Sequence, residues 1–385
     1  MQNFEFHNPT RIVFGTNTVA KLATLVPPSA RVLILFGGAS AERSGTLAEV
    51  RTALGARTVR EFGGIEPNPS YETLMRAVEQ VRGERLDFLL AVGGGSVIDG
   101  TKFVAAAALY DGAPWEIAES GGAKVRQALP FGTVLTLPAT GSEMNNGAVV
   151  TLEATHTKLP FRSALLFPQF SVLDPSKTFT LPPRQVANGL VDAFVHTLEQ
   201  YLTYPVDGMV QDRFAEGLLQ TLVEIAPAAM AKPNDLATRA NLVWCATLAL
   251  NGLIGAGVPQ DWATHMIGHE LTALYDIDHA RTLAIVLPAL LHVQREQKRA
   301  KLLQYGARVW GIVAGGEDER IDAAIERTRA FFQSLGIETR LSAYQLDQAA
   351  VEAVLVQLAA HGMTCLGERR DIDLAASRTI LEAAL

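Results

Sequence analysis

Cysteine is scarce in this chain: Cys245 and Cys365 are the only two in 385 residues. Neither sits in a CxxC pair, so no disulfide framework is available, and a reduced cytoplasm is the expected setting. Cys245 lies in the apolar stretch LVWCATLAL and reads as packing. A basic excess is also missing. The 33 Lys and Arg stand against 40 Asp and Glu, a net charge of −7, whereas nucleic-acid binders need a basic face. The Ala-rich run FVAAAALY has eight residues, far short of the ~20 that a membrane span requires. The opening MQNFEFHNPTRIVFG lacks a basic region followed by an apolar one, which predicts no secretory leader. The GxGxxG fingerprint is absent, so an ordinary Rossmann dinucleotide fold does not follow. The most local lack is cationic. Between Arg239 and Arg281 there is no Lys or Arg, while Asp261, Glu270, Asp276 and Asp278 are present. Such a stretch suits a bound cation and anchors an anionic substrate poorly.

What is present is a core-rich chain, 48% hydrophobic and 19% charged, long enough for two domains. Short apolar runs recur at 11–15, 31–36, 86–92, 133–138 and 170–174, several of them apolar on both faces. This is the signature of a covered parallel sheet. Helical patterns lie between them. In YETLMRAVEQVRGE, Leu74, Ala77, Val78 and Val81 form one stripe. The alternation predicts a doubly wound α/β domain over residues 1–182, with Pro182-Pro183 at the boundary. Helical spacing then runs through 185–203, 208–231, 235–255, 259–275, 282–310, 319–335, 346–361 and 372–384. Residues 183–385 are therefore expected to form an all-helical domain, with a ligand in the cleft between the two.

Four residues in the second half suit one metal ion. Asp192 and His196 are four apart on one helix face, and His265 and His279 follow. A carboxylate with three imidazoles fits a divalent transition metal. A single D-x3-H pair is more commonly a helix salt bridge or hydrogen bond. The concentration of three of the eight histidines between 265 and 279 favours the metal. Gly93-Gly94-Gly95-Ser96 closes an apolar strand and opens a helix that Ser96 can cap. Glycines and a helix N-terminus suit a pyrophosphate, though a tight turn would look the same. Gly37, Gly38 and Ser40 end an early strand where an adenosine ribose often lies. No acidic residue stands at that strand end, and Arg43 follows, which favours NADP over NAD; a flexible turn is the alternative. Thr140-Gly141-Ser142-Glu143 ends a later strand, as a cofactor contact or a capping turn. Trp262, three before His265, is either a pocket wall or core.

These motifs together give a resemblance. From NPTRIVFG through FGGIEPNP, VGGGSVIDGTK, LPATGSE and THMIGHELTALYDIDHA, the chain resembles the iron-activated, or group III, alcohol dehydrogenases along essentially its whole length. FGGIEPNPSYETLM, NGLVDAFVHTLEQY and GAGVPQDWATHMIGHELTA look most like the NADPH-dependent aldehyde reductase branch, also called butanol dehydrogenase. The resemblance implies that Asp192, His196, His265 and His279 bind one Zn²⁺ or Fe²⁺, Zn²⁺ being the first choice for this branch. It implies that His269 is a proton relay outside the ligand set. It places Gly94, Gly95, Ser96 and Asp99 in the pyrophosphate and nicotinamide loop. The same resemblance implies further NADP(H) contacts at Thr136, Thr140, Ser142, Asn145 and Lys158, and a place near the adenosine side for Asn68. Gly38 and Ser40 stand where NAD-linked members carry an aspartate. The family pattern has Ala before the second His, where this chain has Gly268. It has Pro-His-Gly around the last ligand, where this chain has Asp278-His279-Ala280.

The resulting expectation is hydride transfer between NADPH and a small neutral aldehyde, by a homodimer. Polyol or polyol-phosphate dehydrogenation and a dehydroquinate synthase-like activity are the enzymatic alternatives. The polyol-phosphate and dehydroquinate synthase-like activities handle anionic substrates that call for cations beside the metal. A non-catalytic metal or nucleotide sensor is the third.

Overall fold

Eight short runs of β-branched and aliphatic residues become strands: β1 (Arg11–Phe14), β2 (Arg31–Phe36), β3 (Thr58–Phe62), β4 (Phe88–Gly94), β5 (Phe131–Leu137), β6 (Gly147–Leu152), β7 (Thr157–Arg162) and β8 (Phe170–Leu173). The structure, a computed structural model, describes residues 1–385. Between the strands lie α1 (Leu22–Leu25), α2 (Ser40–Arg43), α3 (Thr46–Leu54), α4 (Tyr71–Glu84), α5 (Gly95–Ala107) and α6 (Glu116–Glu119). Six strands form one parallel sheet in the order β1-β8-β5-β4-β2-β3, and β6 pairs antiparallel with β7 as a separate hairpin.

Alternation along the strands feeds two cores. Leu33, Leu35, Leu89 and Ala91 point into one layer with Leu74, Val78 and Phe103 of α4 and α5. Val32, Ile34, Phe88, Leu90 and Val92 point into the other with Leu22, Leu47, Val50 and Leu54. A sheet buried on both faces explains the continuous apolar runs. The chain passes from β2 out to β3 and then back to β4 on the other side of β2. The crevice at the carboxyl ends of β2 and β4 is therefore a topological switch point, the usual ligand position in such sheets.

The second half contributes α7 (Pro183–Tyr201), α8 (Met209–Ala231), α9 (Leu236–Ala249), α10 (Ala263–Tyr275), α11 (His279–Val293), α12 (Arg299–Val309), α13 (Glu317–Ser334), α14 (Gln348–Ala360) and α15 (Leu374–Ala383). Helix α7 is buried along its length from Val186 onward. Its Phe194 lies 5.0 Å from Phe331 and 5.7 Å from Phe332 between ring centroids. No helix is long and apolar enough to cross a membrane.

The compact units are not contiguous in sequence. One contains 7–182 and 232–251, the other 1–6, 183–231 and 252–385. Helix α9 joins the sheet unit because Thr247 donates a 2.6 Å hydrogen bond to Glu143 and Trp244 sits edge-on to Phe14. Residues 1–6 join the helical unit through Gln2, whose N–H donates to Gly257.

Four local expectations need correction. The helical stretch 282–310 is two helices, α11 and α12, because Lys298 turns inward to donate to the Leu202 carbonyl. Ser96 does not cap α5: the helix already begins at Gly95, with Gly94 as its N-cap. Trp262 is not inside the helix of His265 but at its N-cap. Strand β3 is an addition; its Arg60 and Glu61 face solvent at a sheet edge, which hides the strand in the sequence.

Candidate active site

In the helical unit, α7 carries Asp192 and His196 one turn apart. Helix α10 carries His265 and His269, and only three residues separate it from α11, which begins at His279. That short connection, with Asp276 at φ 52°, folds α11 back beside α10. The side chains of Asp192, His265 and His279 thereby offer one ligand atom each, all within 4.8 Å of one another. Asp192 Oδ1 lies 3.9 Å from His265 Nε2 and 3.8 Å from His279 Nε2. His196 is not in that mutual set, but its Nδ1 is 3.7 Å from the same oxygen and its ring stacks on His265 at 4.6 Å. His269 lies against His279, with ring centroids 5.0 Å apart.

The fit to a cation rests on Asp192. Its Oδ1 is buried and accepts no hydrogen bond, and 3.7–3.9 Å is too long for one. Buried carboxylate oxygens are ordinarily bonded or coordinated. Atoms bound at about 2.0–2.2 Å to one ion are spaced by a little more than 3 Å. The donor set of carboxylate oxygen and imidazole nitrogen therefore fits a divalent transition metal.

In the sheet unit, the switch-point loops are those singled out from the sequence. Gly37, Gly38 and Ser40 follow β2, and Gly94, Gly95 and Ser96 lead from β4 into α5. The register with β5 shifts between Gly93 and Gly94, turning the chain toward the helix. A Cβ on Gly95 would stand 2.4 Å from the Thr140 side chain, so only glycine lets the two loops meet. Asn68 and Lys158 are brought together, the ammonium donating a 2.9 Å hydrogen bond to Asn68 Oδ1. Thr136 and Thr140 are half-buried at and just beyond the end of β5. Asp99 and Ser142 engage one another, and Asn145 braces the loop that carries Ser142. Ser142 donates to Asp99 Oδ1 at 2.5 Å, Val149 N–H donates to Asp99 Oδ2 at 2.9 Å, and Asn145 Nδ2 donates to the Gly141 carbonyl at 2.9 Å.

Comparison with known proteins agrees with this layout. Residues 9–175 match the iron-containing alcohol dehydrogenases, and residues 186–385 match the C-terminal region of the same family. The NADPH-dependent aldehyde reductase YqhD of Escherichia coli is 60% identical over 386 residues, spanning 100% of both chains. A probable NADH-dependent butanol dehydrogenase of Bacillus subtilis is 40% identical over 390 residues, again 100% of both. The crystal structure of Escherichia coli YqhD matches with a TM-score of 0.99 and 60% identity, covering 100% of this chain and 99% of that one. The chain belongs to the iron-containing alcohol dehydrogenase family.

Two residues of this iron-containing alcohol dehydrogenase escaped the sequence reading. Lys102 is fully buried and donates to Ser142 Oγ at 2.8 Å, Asn145 Oδ1 at 2.9 Å and the Gly147 carbonyl at 2.7 Å. Burial pushes its ammonium down to about 8, against the opposing pull of Asp99 and Glu143. Burial likewise pushes the Asp99 and Glu143 carboxyls upward. The signal was its place seven residues after Gly95, two helical turns along α5. Glu199 is the second. It is buried on α7 and bonded to His265 Nδ1. Burial, then the nearby Asp261, pushes its carboxyl well above the usual range; a cation among Asp192, His265 and His279 would favour the charged form. Its signal was the i, i+4, i+7 spacing of Asp192, His196 and Glu199.

Proposed function

We propose that this protein is a metal-dependent aldehyde reductase and alcohol dehydrogenase that moves hydride between NADP(H) and small neutral aldehydes or alcohols. The observation that carries the reading is the convergence of Asp192, His265 and His279 on a buried carboxylate oxygen with no hydrogen bond. These three residues, with His196 beside them, would hold one Zn²⁺ or Fe²⁺. When bound, the metal supplies Lewis acidity toward a carbonyl or alcohol oxygen and the nicotinamide supplies or accepts the hydride.

The chain's own residues do the rest. Gly37, Gly38, Ser40 and Asn68 are assigned to the adenosine side, and Gly94, Gly95 and Ser96 to the pyrophosphate. Thr136, Thr140 and Lys158 line the same loops, while Asp99, Ser142 and Asn145 hold those loops in shape. His269, buried beside His279, is assigned to pass a proton to the product oxygen. A neutral substrate is favoured because the arginines flanking His279 are already engaged. Arg184 Nε is 2.6 Å and Arg281 Nε 3.5 Å from Asp278 Oδ2. This leaves little cationic anchorage for a phosphate, which counts against polyol phosphates.

A homodimer is also proposed. The support is the set of exposed apolar side chains on the helical unit, Met1, Phe4, Phe6, Met209, Val210 and Phe214, with Met1 Sδ meeting Gln211 of α8. A reducing compartment accords with Cys245 and Cys365 both being free. The test is NADPH consumption with butanal, before and after chelation, in the wild type and in His265→Ala. The variant should lose metal and nearly all turnover yet still bind NADPH. Wild-type rates in the exhaustively chelated variant would end the metal reading. Faster use of glyceraldehyde 3-phosphate than of butanal would end the neutral-substrate reading.

A further inference from the structure

We propose that Glu199 is a positioning residue that fixes the tautomer of His265 and so makes its Nε2 available to the metal. The inference rests on the metal reading above. Asp192, His196 and Glu199 share one face of α7, at i, i+4 and i+7. Glu199 Oε1 accepts backbone N–H groups from Thr264 at 2.8 Å and His265 at 3.3 Å. These are first-turn amides of α10, which no N-cap side chain satisfies. Glu199 Oε2 meets His265 Nδ1. The carboxylate accepts a proton-bearing Nδ1, and the lone pair is left on Nε2, the atom that faces Asp192 Oδ1 at 3.9 Å. Glu199 thus does two things from another helix: it caps α10 and orients its ligand.

The frame around Glu199 is itself clamped. Asp261 N–H donates to the Glu199 carbonyl at 2.8 Å, and Asp261 Oδ1 accepts from Ala263 N–H at 2.8 Å. Buried Lys298 lies 3.0 Å from Asp261 Oδ2 and donates to Glu368 at 2.9 Å and to the Leu202 carbonyl at 2.7 Å. The end of α7 and the start of α10 are held by one ammonium. Glu199 therefore has little freedom to turn away from His265.

Glutamine at 199 separates orientation from packing. Its one amide oxygen must stay on the two α10 N–H groups, so its NH₂ faces Nδ1. A donor there drives the imidazole proton to Nε2 and blocks the ligand position. Aspartate is a poorer fit in shape but keeps the anionic acceptor. The experiment measures Zn²⁺ affinity of the metal-free full-length protein by competition with a chromophoric chelator. Wild type, Glu199→Gln, Glu199→Asp and His265→Ala are compared. The expected result is a loss of about 10–100-fold in E199Q, a smaller loss in E199D, and no specific site in H265A. A residue that merely fills space gives the reverse order, with isosteric glutamine better tolerated than aspartate, and that order overturns the proposal. So does an E199Q that binds Zn²⁺ like the wild type. A wild type with no Zn²⁺ affinity overturns the metal reading itself, and a tight wild type with unaffected variants overturns the Glu199 role alone. If E199Q does not fold by circular dichroism, Glu199→Met against E199D supplies the same contrast: methionine fills the space without an acceptor and must bind Zn²⁺ more weakly than aspartate, and the reverse order overturns the proposal.

Discussion

Two buried polar clusters in this protein differ in one respect that separates a frame from a site. In the sheet unit, Lys102 donates three hydrogen bonds, and both oxygens of Asp99 accept one. That cluster closes on itself. In the helical unit, three imidazoles face Asp192 Oδ1 at 3.7–3.9 Å, and that oxygen accepts no hydrogen bond. That cluster is complementary to something the chain does not supply. Burying polar groups costs free energy unless they are paired. Around Lys102 and Asp99 the cost is met within the fold, with the neighbouring Glu143 Oε2 the one carboxylate oxygen left over, whereas the second cluster leaves it to a ligand. Charge content alone would not separate them, since both are rich in ionisable groups; the count of satisfied atoms does.

The largest effect should come from breaking the open cluster. Asp192→Asn keeps shape and removes the charge on which the ligand atoms converge. Turnover should fall by about 10³-fold or more, equivalent to at least ~4 kcal/mol in the transition state. The metal-free variant should unfold at the same urea concentration as the metal-free wild type or a higher one, because an unpaired buried charge has been removed. Excess Zn²⁺ should raise the melting temperature of the wild type and not that of the variant. Steady-state rates and thermal melts with and without Zn²⁺ check this. A metal-free D192N that is several kcal/mol less stable would show that the two clusters are alike.

The closed cluster should respond in the opposite way. Lys102→Met leaves Ser142, Asn145 and the Gly147 carbonyl without their donor, and should cost about 3 kcal/mol of stability while metal affinity is unchanged. The pH dependence sharpens the point. Lys102 sits near 8 in the folded protein, below the ordinary lysine value of about 10.4. Between these values the unfolded chain binds the extra proton, so the contribution of this group to stability rises with pH across that window and is flat below it. The stability gap between wild type and K102M, from urea midpoints at pH 7 to 10, should therefore widen above pH 8. A constant or shrinking gap would mean that the three acceptors offset or outweigh the cost of burying the ammonium.

The difference between the clusters also governs what the sequence could reveal. Histidine is rare, Asp192 and His196 carry helical spacing, and three histidines crowd into residues 265–279, so the open cluster is readable without coordinates. Glycine runs at the ends of β2 and β4 mark the nucleotide loops for the same reason: few other roles demand them. Lys102 and Glu199 are common residue types on helices, and nothing local says that their heads are buried. Their partners lie 40 or more residues away for Lys102 and 65 or more for Glu199. The parallel sheet was legible from runs apolar on both faces, but β3 was not, because Arg60 and Glu61 interrupt it at the edge. The placement of α9 in the sheet unit was invisible as well, since it depends on pairs such as Thr247 with Glu143.

The smallest expected effect lies outside both clusters and tests cofactor choice. Gly38 follows β2, is exposed, and a Cβ built there meets nothing within 4 Å. Its φ is not in the left-handed region, so another residue enters without strain. Ser40 opens α2, where its hydroxyl is free to donate to a ribose 2′-phosphate. Arg43 is exposed and forms no ion pair, whereas Glu42, the nearby acid, is held by Arg51 at 2.9 Å. The local charge balance thus favours a 2′-phosphate, and NADPH should be used better than NADH. Gly38→Asp places a carboxylate where that phosphate is expected, so like charges are forced together. The ratio of kcat/KM for NADPH over NADH should fall at least about tenfold, a change of ~1.4 kcal/mol. Stability and Zn²⁺ affinity should not move, because neither cluster is touched. Equal use of both cofactors by the wild type, or an unchanged ratio in the variant, would remove this loop from the binding site.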